Sequence, residues 1–196
     1  MDTLDGILNQ IWLMLEQGIT HSDNPFHWPV LGTTSKEGCS LRTVILRPVN
    51  VTDRVLVCHT DARSLKVQEI INYPQTSWIF YYPEKKIQMR ISGRSTLHAH
   101  DPFADHQWAD TSITSRLNYC ATQAPGTPID KPSSGLPDFL LNKVPALLET
   151  EKGRKHFMAI KMHIHSMDWL FLKLTGNRRA RFEWDEDRLH ATWLVP

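Results

Sequence analysis

The chain has 196 residues, 41% of them apolar and 22% charged, with a formal charge of +1. That length suits one sizeable domain, taken here as 1–196, or a subunit sharing a core with a copy of itself. The near-neutral balance offers no global electrostatic case for nucleic acid or an anionic membrane surface. No apolar run approaches the length of a bilayer span, and the acidic start "MDTLDG" lacks the basic n-region of a signal peptide. Cys39, Cys58 and Cys120 form no CxxC and fit neither a disulfide framework nor a zinc finger. These features together predict a reduced, cytoplasmic protein.

Taken in chain order, residues 3–17 predict an amphipathic helix. "WPVLGTTSKEGCSLRTVILRPV" predicts two strands joined at the polar turn 35–38, and "RVLVCHT" a third. "SLKVQEIINYP" changes to helical spacing and stops before Pro74. Strands follow at 76–82 and 86–98, then a helical pair entered through Asp101-Pro102. The Pro/Gly-rich stretch 124–137 cannot form a helix or a central strand, and predicts a long loop or lid. The chain from 136 to 149 is weakly helical and broken by Pro145. In 156–174, Met158, Ile160, Met162 and Ile164 alternate with Ala159, Lys161, His163 and His165. "RARFEW" and "LHATWLV" flank "DEDR" and predict a closing hairpin. About seven strands, few helices and a crossover helix after the third strand predict a mainly β fold: an antiparallel barrel with flanking helices.

Four places carry candidate chemistry. "LRTVILRP" reads as a strand over 41–48 with Arg42 and Arg47 five residues apart, an odd spacing that puts the two guanidinium groups on opposite faces. "HTDARSLK" lies where a strand enters a helix. His59, Thr60, Arg63, Ser64 and Lys66 place hydroxyls and cations at a helix start, where free N–H groups and the macrodipole already favour an anion. Either a phosphate sits among them or the cations reach out into water. In "KIQMRISG", Gln88, Arg90 and Ser92 share one strand face. A carboxamide there suits a ligand edge bearing both donors and acceptors, and a merely wet face is the alternative. Arg178, Arg179 and Arg181 crowd the start of the last hairpin, as a solvated edge or as an anion site. The histidine pairs 98/100 and 163/165 have no carboxylate at convincing spacing, so no metal site is expected.

"RTVILR", "HTDARSLK", "IQMRISG" and the closing "RARFEW" with "TWLVP", in this order and spacing, resemble the pyridoxamine 5'-phosphate oxidase superfamily of FMN-binding split β-barrels. The resemblance covers roughly residues 25–196 and is nearest its oxidase-related branch. It implies a homodimer with FMN at the subunit interface and a small-molecule substrate. Arg42 would reach toward the FMN phosphate and ribityl end, and backbone at Thr43, Val44 and Ile45 would meet the ring. Arg47 would face the substrate side. Thr60, Ser64 and Lys66 match positions that grip the phosphate, with His59 and Arg63 beside them. Gln88 matches a glutamine bonded to the ring, Gln123-Ala124 approximates a Gln-Ser pair near FMN, and Arg181 falls close to the ring.

The substrate half departs from the pattern. A family Tyr, Arg and Ser set falls on His106, Asp110 and Thr114. An Arg-Leu-His run falls on Asn177-Arg178-Arg179, and a tryptophan on Phe171. Only Arg116 or Arg179 would restore a phosphate grip there. The resemblance therefore implies an FMN-dependent oxidoreductase with an altered substrate site. The alternative is a flavin carrier or sensor without turnover, or a haem-binding relative using His163 or His165.

Overall fold

A computed structural model describes residues 3–196. Helix α1 (Leu4–Thr20) begins at Thr3, whose hydroxyl accepts from Gly6 N, and it buries Ile7, Ile11, Met14 and Leu15. Nine strands then form one antiparallel sheet: β1 (Val30–Ser35), β2 (Gly38–Thr43), β3 (Val49–Asn50), β4 (Val55–Asp61), β5 (Gln75–Tyr82), β6 (Ile87–His98), β7 (Phe157–Phe171), β8 (Arg178–Asp185) and β9 (Arg188–Leu194). The order is β2-β1-β5-β6-β7-β4-β3, with the β8–β9 hairpin added on β7. No pairing among the described residues joins the two ends, so the sheet is split rather than closed. Helix α2 (Leu65–Asn72) carries the chain from β4 across to β5.

The 15-residue β7 organises the molecule. Its first half pairs with β4, its second half with β8, and β6 pairs along both. Period-two alternation turns Ile160, Met162 and Ile164 inward, where each is fully buried. A bulge opposite Ser92 and Gly93 then shifts the phase, so that Met167 and Trp169 face the core instead of the even positions. Gly93 is required at this point. A Cβ there would lie 2.0 Å from the His163 carbonyl oxygen. The inward residues join Trp78, Phe80, Met89, Ile91 and Phe182 in one core, and α1 packs against it. Each fully buried large aliphatic contributes about 1.5–3 kcal/mol.

A second, smaller core lies on the outer face of β4 and β7. There Val55, Val57 and Phe157 meet Trp108 of α3 (Pro102–Ala109) and Tyr119. Short α4 (Ile113–Arg116) follows, then a long irregular stretch containing α5 (Leu147–Thr150).

Two expectations need correction. The chain has nine strands where about seven are read from its sequence; the short pairing at 49–50 is one the reading lacks, whereas the predicted closing hairpin forms. The strand read over 41–48 stops at Thr43. Beyond it, Val44 N bonds Pro29 O, Leu46 N bonds His27 O and Arg47 N bonds Val57 O. The backbone thus leaves β1 and crosses toward β4, and the alternation that would separate Arg42 from Arg47 is lost.

Candidate functional site

That crossing segment makes one wall of a cleft of about 310 Å³. Arg42, Thr43, Val44, Ile45 and Arg47 line it from one side, and His59, Thr60, Ser64 and Lys66 from the β4–α2 junction on the other. Asp61, whose carboxylate is held by Arg63, and Ser115, Asn118, Tyr119 and Pro125 complete the lining. Nine of the residues singled out in the sequence therefore share one cavity. The last four were missed. Ser115, Asn118 and Tyr119 lie at the end of the helical pair and Pro125 in the Pro/Gly-rich loop, and nothing in their local pattern marks them as facing a ligand.

At the α2 end, Lys66 Nζ donates to Thr60 Oγ1 and Ser64 Oγ, each at 3.1 Å, and the two hydroxyls are 3.0 Å apart. Ser64 occupies the N-cap position but makes no side-chain cap bond. Its hydroxyl donates instead to Asp61 O at 2.7 Å. The first N–H groups of α2 are thus left for an external acceptor. Lys66 makes no ion pair among the described residues. Burial first, and then the Arg42 charge, holds its ammonium below the ordinary lysine pKa. An ammonium, hydroxyls and a helix start converge on one point, which is the arrangement a phosphate requires.

The other cations of the region differ in what already holds them. Arg42 NH2 donates to Glu69 Oε2 at 3.1 Å and its NH1 contacts Thr33 Oγ1. Burial opposes the Glu69 charge, but hydrogen bonds from Thr33, Ser40 and Arg42 prevail and keep its pKa low. Arg63 is clasped by Asp61, at 3.0 Å through Nε and 2.7 Å through NH2. Its NH2 also donates to Ala121 O at 3.0 Å, so Arg63 ties the loop after α4 to the β4 end and lies outside the cleft lining. Arg47 is the opposite case: its Nε is buried without a hydrogen-bond partner. With Arg42 offset by Glu69 and Arg63 by Asp61, Lys66 and Arg47 are the cations of the cleft without an acidic partner among the described residues.

His59 forms the wall beside Arg47. Its Nε2 lies 3.1 Å from Gln107 Oε1, so that nitrogen carries the proton, while Nδ1 lies 3.5 Å from Thr111 Oγ1. Burial, reinforced by the Arg47 charge and only partly offset by the Gln107 bond, lowers its pKa to about 4. His59 is neutral at physiological pH and is no proton donor there. Cys58, behind the same strand, is pushed up to about 12 by burial, which leaves it a thiol.

Besides Arg63, five predicted residues lie outside the cleft lining. Arg179 and Arg181 line a separate cavity of about 660 Å³ on the outer sheet face, with Arg90 and Asp168. There Asp168 receives Arg179 at 2.8 Å, Arg90 at 2.9 Å and Arg181 at 3.5 Å. Burial works against the Asp168 carboxylate, but the guanidinium donors outweigh it and keep the pKa low. Gln88 stands on this same outer face, two residues before Arg90 and opposite Tyr81 and Leu170, but lines neither cavity. Gln123 is exposed and also lines neither.

Arg116 lines neither cavity. Its Nε donates to Thr111 O at 3.0 Å and NH2 to Trp108 O at 2.8 Å, while NH1 pairs with Glu151 and the guanidinium lies over the Trp108 ring. It closes the C-terminal end of α3. Among the described residues no group of His, Cys, Asp and Glu is arranged to hold a metal. No helix of the described residues is long and apolar enough to cross a membrane.

Comparison with known proteins bears on this geometry. Residues 9–99 match the family model described as pyridoxamine 5'-phosphate oxidase, FMN-binding domain. A curated relative, pyridoxine/pyridoxamine 5'-phosphate oxidase 2 of Arabidopsis thaliana, is 32% identical over 132 residues, covering 58% of this chain and 64% of that protein. The chain thus matches less than two thirds of that relative's length. Among solved structures, a pyridoxamine 5'-phosphate oxidase-related, FMN-binding protein of Nostoc punctiforme superposes with a TM-score of 0.74 at 20% identity, covering 96% of each chain. PhzG of Burkholderia lata, solved with tetrahydrophenazine-1-carboxylic acid, gives 0.69 at 16% identity over 97% of this chain and 91% of that one. The matched segment holds Arg42, Arg47, Thr60, Ser64, Lys66 and Gln88, whereas Arg179 and Arg181 lie beyond it. The fold is that of the Nostoc protein and PhzG, and residues 9–99 are similar to a domain family described as FMN-binding.

Proposed function

We propose that the cleft between the crossing segment and α2 seats FMN, and that the protein is an FMN-dependent oxidoreductase acting on a small molecule. One observation carries the reading: Lys66, Thr60 and Ser64 converge on the open start of α2 while Arg47 Nε, nearby, lacks a partner. Lys66 and the two hydroxyls hold the phosphate, Arg42 lies beside it, and the backbone of Thr43, Val44 and Ile45 runs along the cofactor. FMN supplies hydride and electron transfer; the chain's own residues bind, orient and shield it. His59, neutral and fixed by Gln107, presents a proton-free Nδ1 on the wall instead of a second charge.

The ring-facing residues, Gln88 and Arg181, stand on a different face from the phosphate grip. We infer a homodimer in which each copy offers that face to its partner's FMN. Leu41, Ile79 and Tyr81 are exposed on or beside the sheet there, as an interface would require. The substrate is taken to differ from pyridoxine 5'-phosphate. Arg90, Arg179 and Arg181 share one carboxylate, Asp168, which already offsets part of their charge, and Arg116 is engaged at α3. The same compensation favours, as the second reading, a flavin carrier without turnover.

Purified protein separates these readings. The oxidoreductase reading expects a yellow dimer with one FMN per chain, reduced anaerobically by a nicotinamide nucleotide or by a small-molecule donor, with no turnover of pyridoxine 5'-phosphate. A yellow dimer that no donor reduces would leave the carrier. A colourless protein that fails to take up FMN overturns both.

A further inference from the structure

The outer face of β6 and β7, past the bulge, carries a second cluster of charge that shares no lining residue with the flavin cleft. Arg94 stands directly opposite His163, and Thr96 opposite Lys161, so four polar side chains form a square on one sheet face. Arg94 facing His163 across the antiparallel pair disfavours a charged imidazole there unless something negative lies between them. The square lines a groove of about 440 Å³ together with Arg54 and His98.

The acids of this groove are already engaged, and they lie at one end. Asp187 pairs with Arg54 at 3.1 Å, and Asp53 accepts from Asn50 Nδ2 at 2.8 Å. Asp101, near the other end, divides its oxygens between His98 Nδ1 at 2.8 Å and Ala104 N at 2.8 Å. Arg94 makes no ion pair among the described residues. Lys161 has the Phe103 ring at 5.2 Å from Nζ, an apolar platform that leaves its charge uncompensated. Arg54 enters the groove from a backbone with φ of 54°, uncommon for a residue with a side chain. Burial first, and then the charges of Arg54, His165 and Lys161, lower the His163 pKa, and Asp187 offsets part of this.

We propose that this groove is a second anion site, binding a small phosphate-bearing molecule between Arg94, Thr96, Lys161 and His163. Arg94 offers paired N–H donors that match phosphate geometry, Lys161 a point charge and Thr96 a hydroxyl. His163 takes up a proton when the anion arrives.

Titration of the full-length protein with inorganic pyrophosphate, followed through the His163 ring proton resonance (identified with His163→Gln), tests the site. A saturable shift toward the protonated imidazole position is expected, with the same midpoint with or without saturating FMN. That independence separates this site from the flavin cleft and keeps the test valid even if FMN is not the cofactor. Arg94→Gln combined with Lys161→Gln is expected to raise the midpoint at least ten-fold. Thr96→Val, a milder change on an exposed face, is expected to raise it a few-fold. No saturable shift, a shift abolished by FMN, or midpoints unchanged in these variants would overturn the proposal.

Discussion

Two arginine-rich regions flank the helical layer, and burial alone does not tell them apart. At the C-terminal end of α3, Arg116 is 4% exposed, with donors on three backbone carbonyls, a pair with Glu151 and an aromatic face beneath it. In the cleft, Arg47 and Lys66 are also partly buried, yet Arg47 Nε has no partner and Lys66 reaches only hydroxyls. A buried cation with a full set of acceptors holds the fold together. One left short of acceptors stores the free energy that an anion releases on binding. The contrast predicts that substitutions in the first region lower stability, and that substitutions in the second lower affinity.

The largest effect is expected at Arg116. Arg116→Met keeps much of the volume but strips the Thr111 carbonyl of its guanidinium donor and leaves Glu151 without its cation, and should cost about 3 kcal/mol in urea unfolding. FMN affinity should fall by less than about five-fold, well short of what one charge-assisted bond is worth. An equal loss of stability and of flavin binding would erase the distinction between the two regions.

Lys66→Ala should do the reverse. Removing the ammonium is expected to weaken FMN by about 2–3 kcal/mol, roughly 30- to 150-fold, in a fluorescence titration. Stability without ligand should hold or rise, because burial opposes the charged lysine. Riboflavin, which lacks the phosphate, should bind wild type and variant alike. If both ligands weaken equally, the lysine serves the ring or the fold instead.

How far this contrast could be read in the sequence varies from residue to residue. Strand 87–98 was legible because it is half-buried, and a half-buried strand must alternate. The gathering of hydroxyls and cations at 59–66 was legible for a similar reason: strand end, cap and helix start occupy one short stretch. The 41–48 segment misled because its alternation continues past the point where its hydrogen bonds leave the sheet for Pro29 and His27. The inward set of β7 changes phase at a bulge whose one sequence trace is Gly93 on the neighbouring strand. Arg116 could not be resolved at all. Its partners are carbonyls set by helix geometry and a glutamate 35 positions away.

His59 sharpens the comparison through pH. In the unfolded chain its imidazole protonates below about 6.5, whereas in the folded protein burial delays this to about 4. Between those values the unfolded state binds more protons, so stability falls as pH drops through that window. From pH 7 to pH 5 the loss should be about 2 kcal/mol, and His59→Gln should flatten it. The lowered carboxylates Glu69, Asp101 and Asp168 lose their contributions in a more acidic range, so they do not mask the effect. An unchanged slope in the variant would show that His59 is solvated and charged, and Arg47 would then face a second cation.

The smallest effect belongs to Glu69, and it concerns how Arg42 is divided between fold and ligand. Glu69 takes Arg42 NH2 at 3.1 Å and Ser40 Oγ at 2.9 Å, so it both aims the guanidinium and cancels its charge. Glu69→Gln keeps an acceptor while removing the charge. If cancellation dominates, the cleft becomes more positive and FMN should bind a few-fold tighter, under about 1 kcal/mol, as suits a partly exposed pair. Riboflavin affinity should not move. If aiming dominates, FMN weakens by a similar amount, and Arg42 would join Arg116 as a residue whose acceptors fix its place. Either sign, read against Lys66→Ala, separates charge that the cleft holds in reserve from charge that the fold already uses.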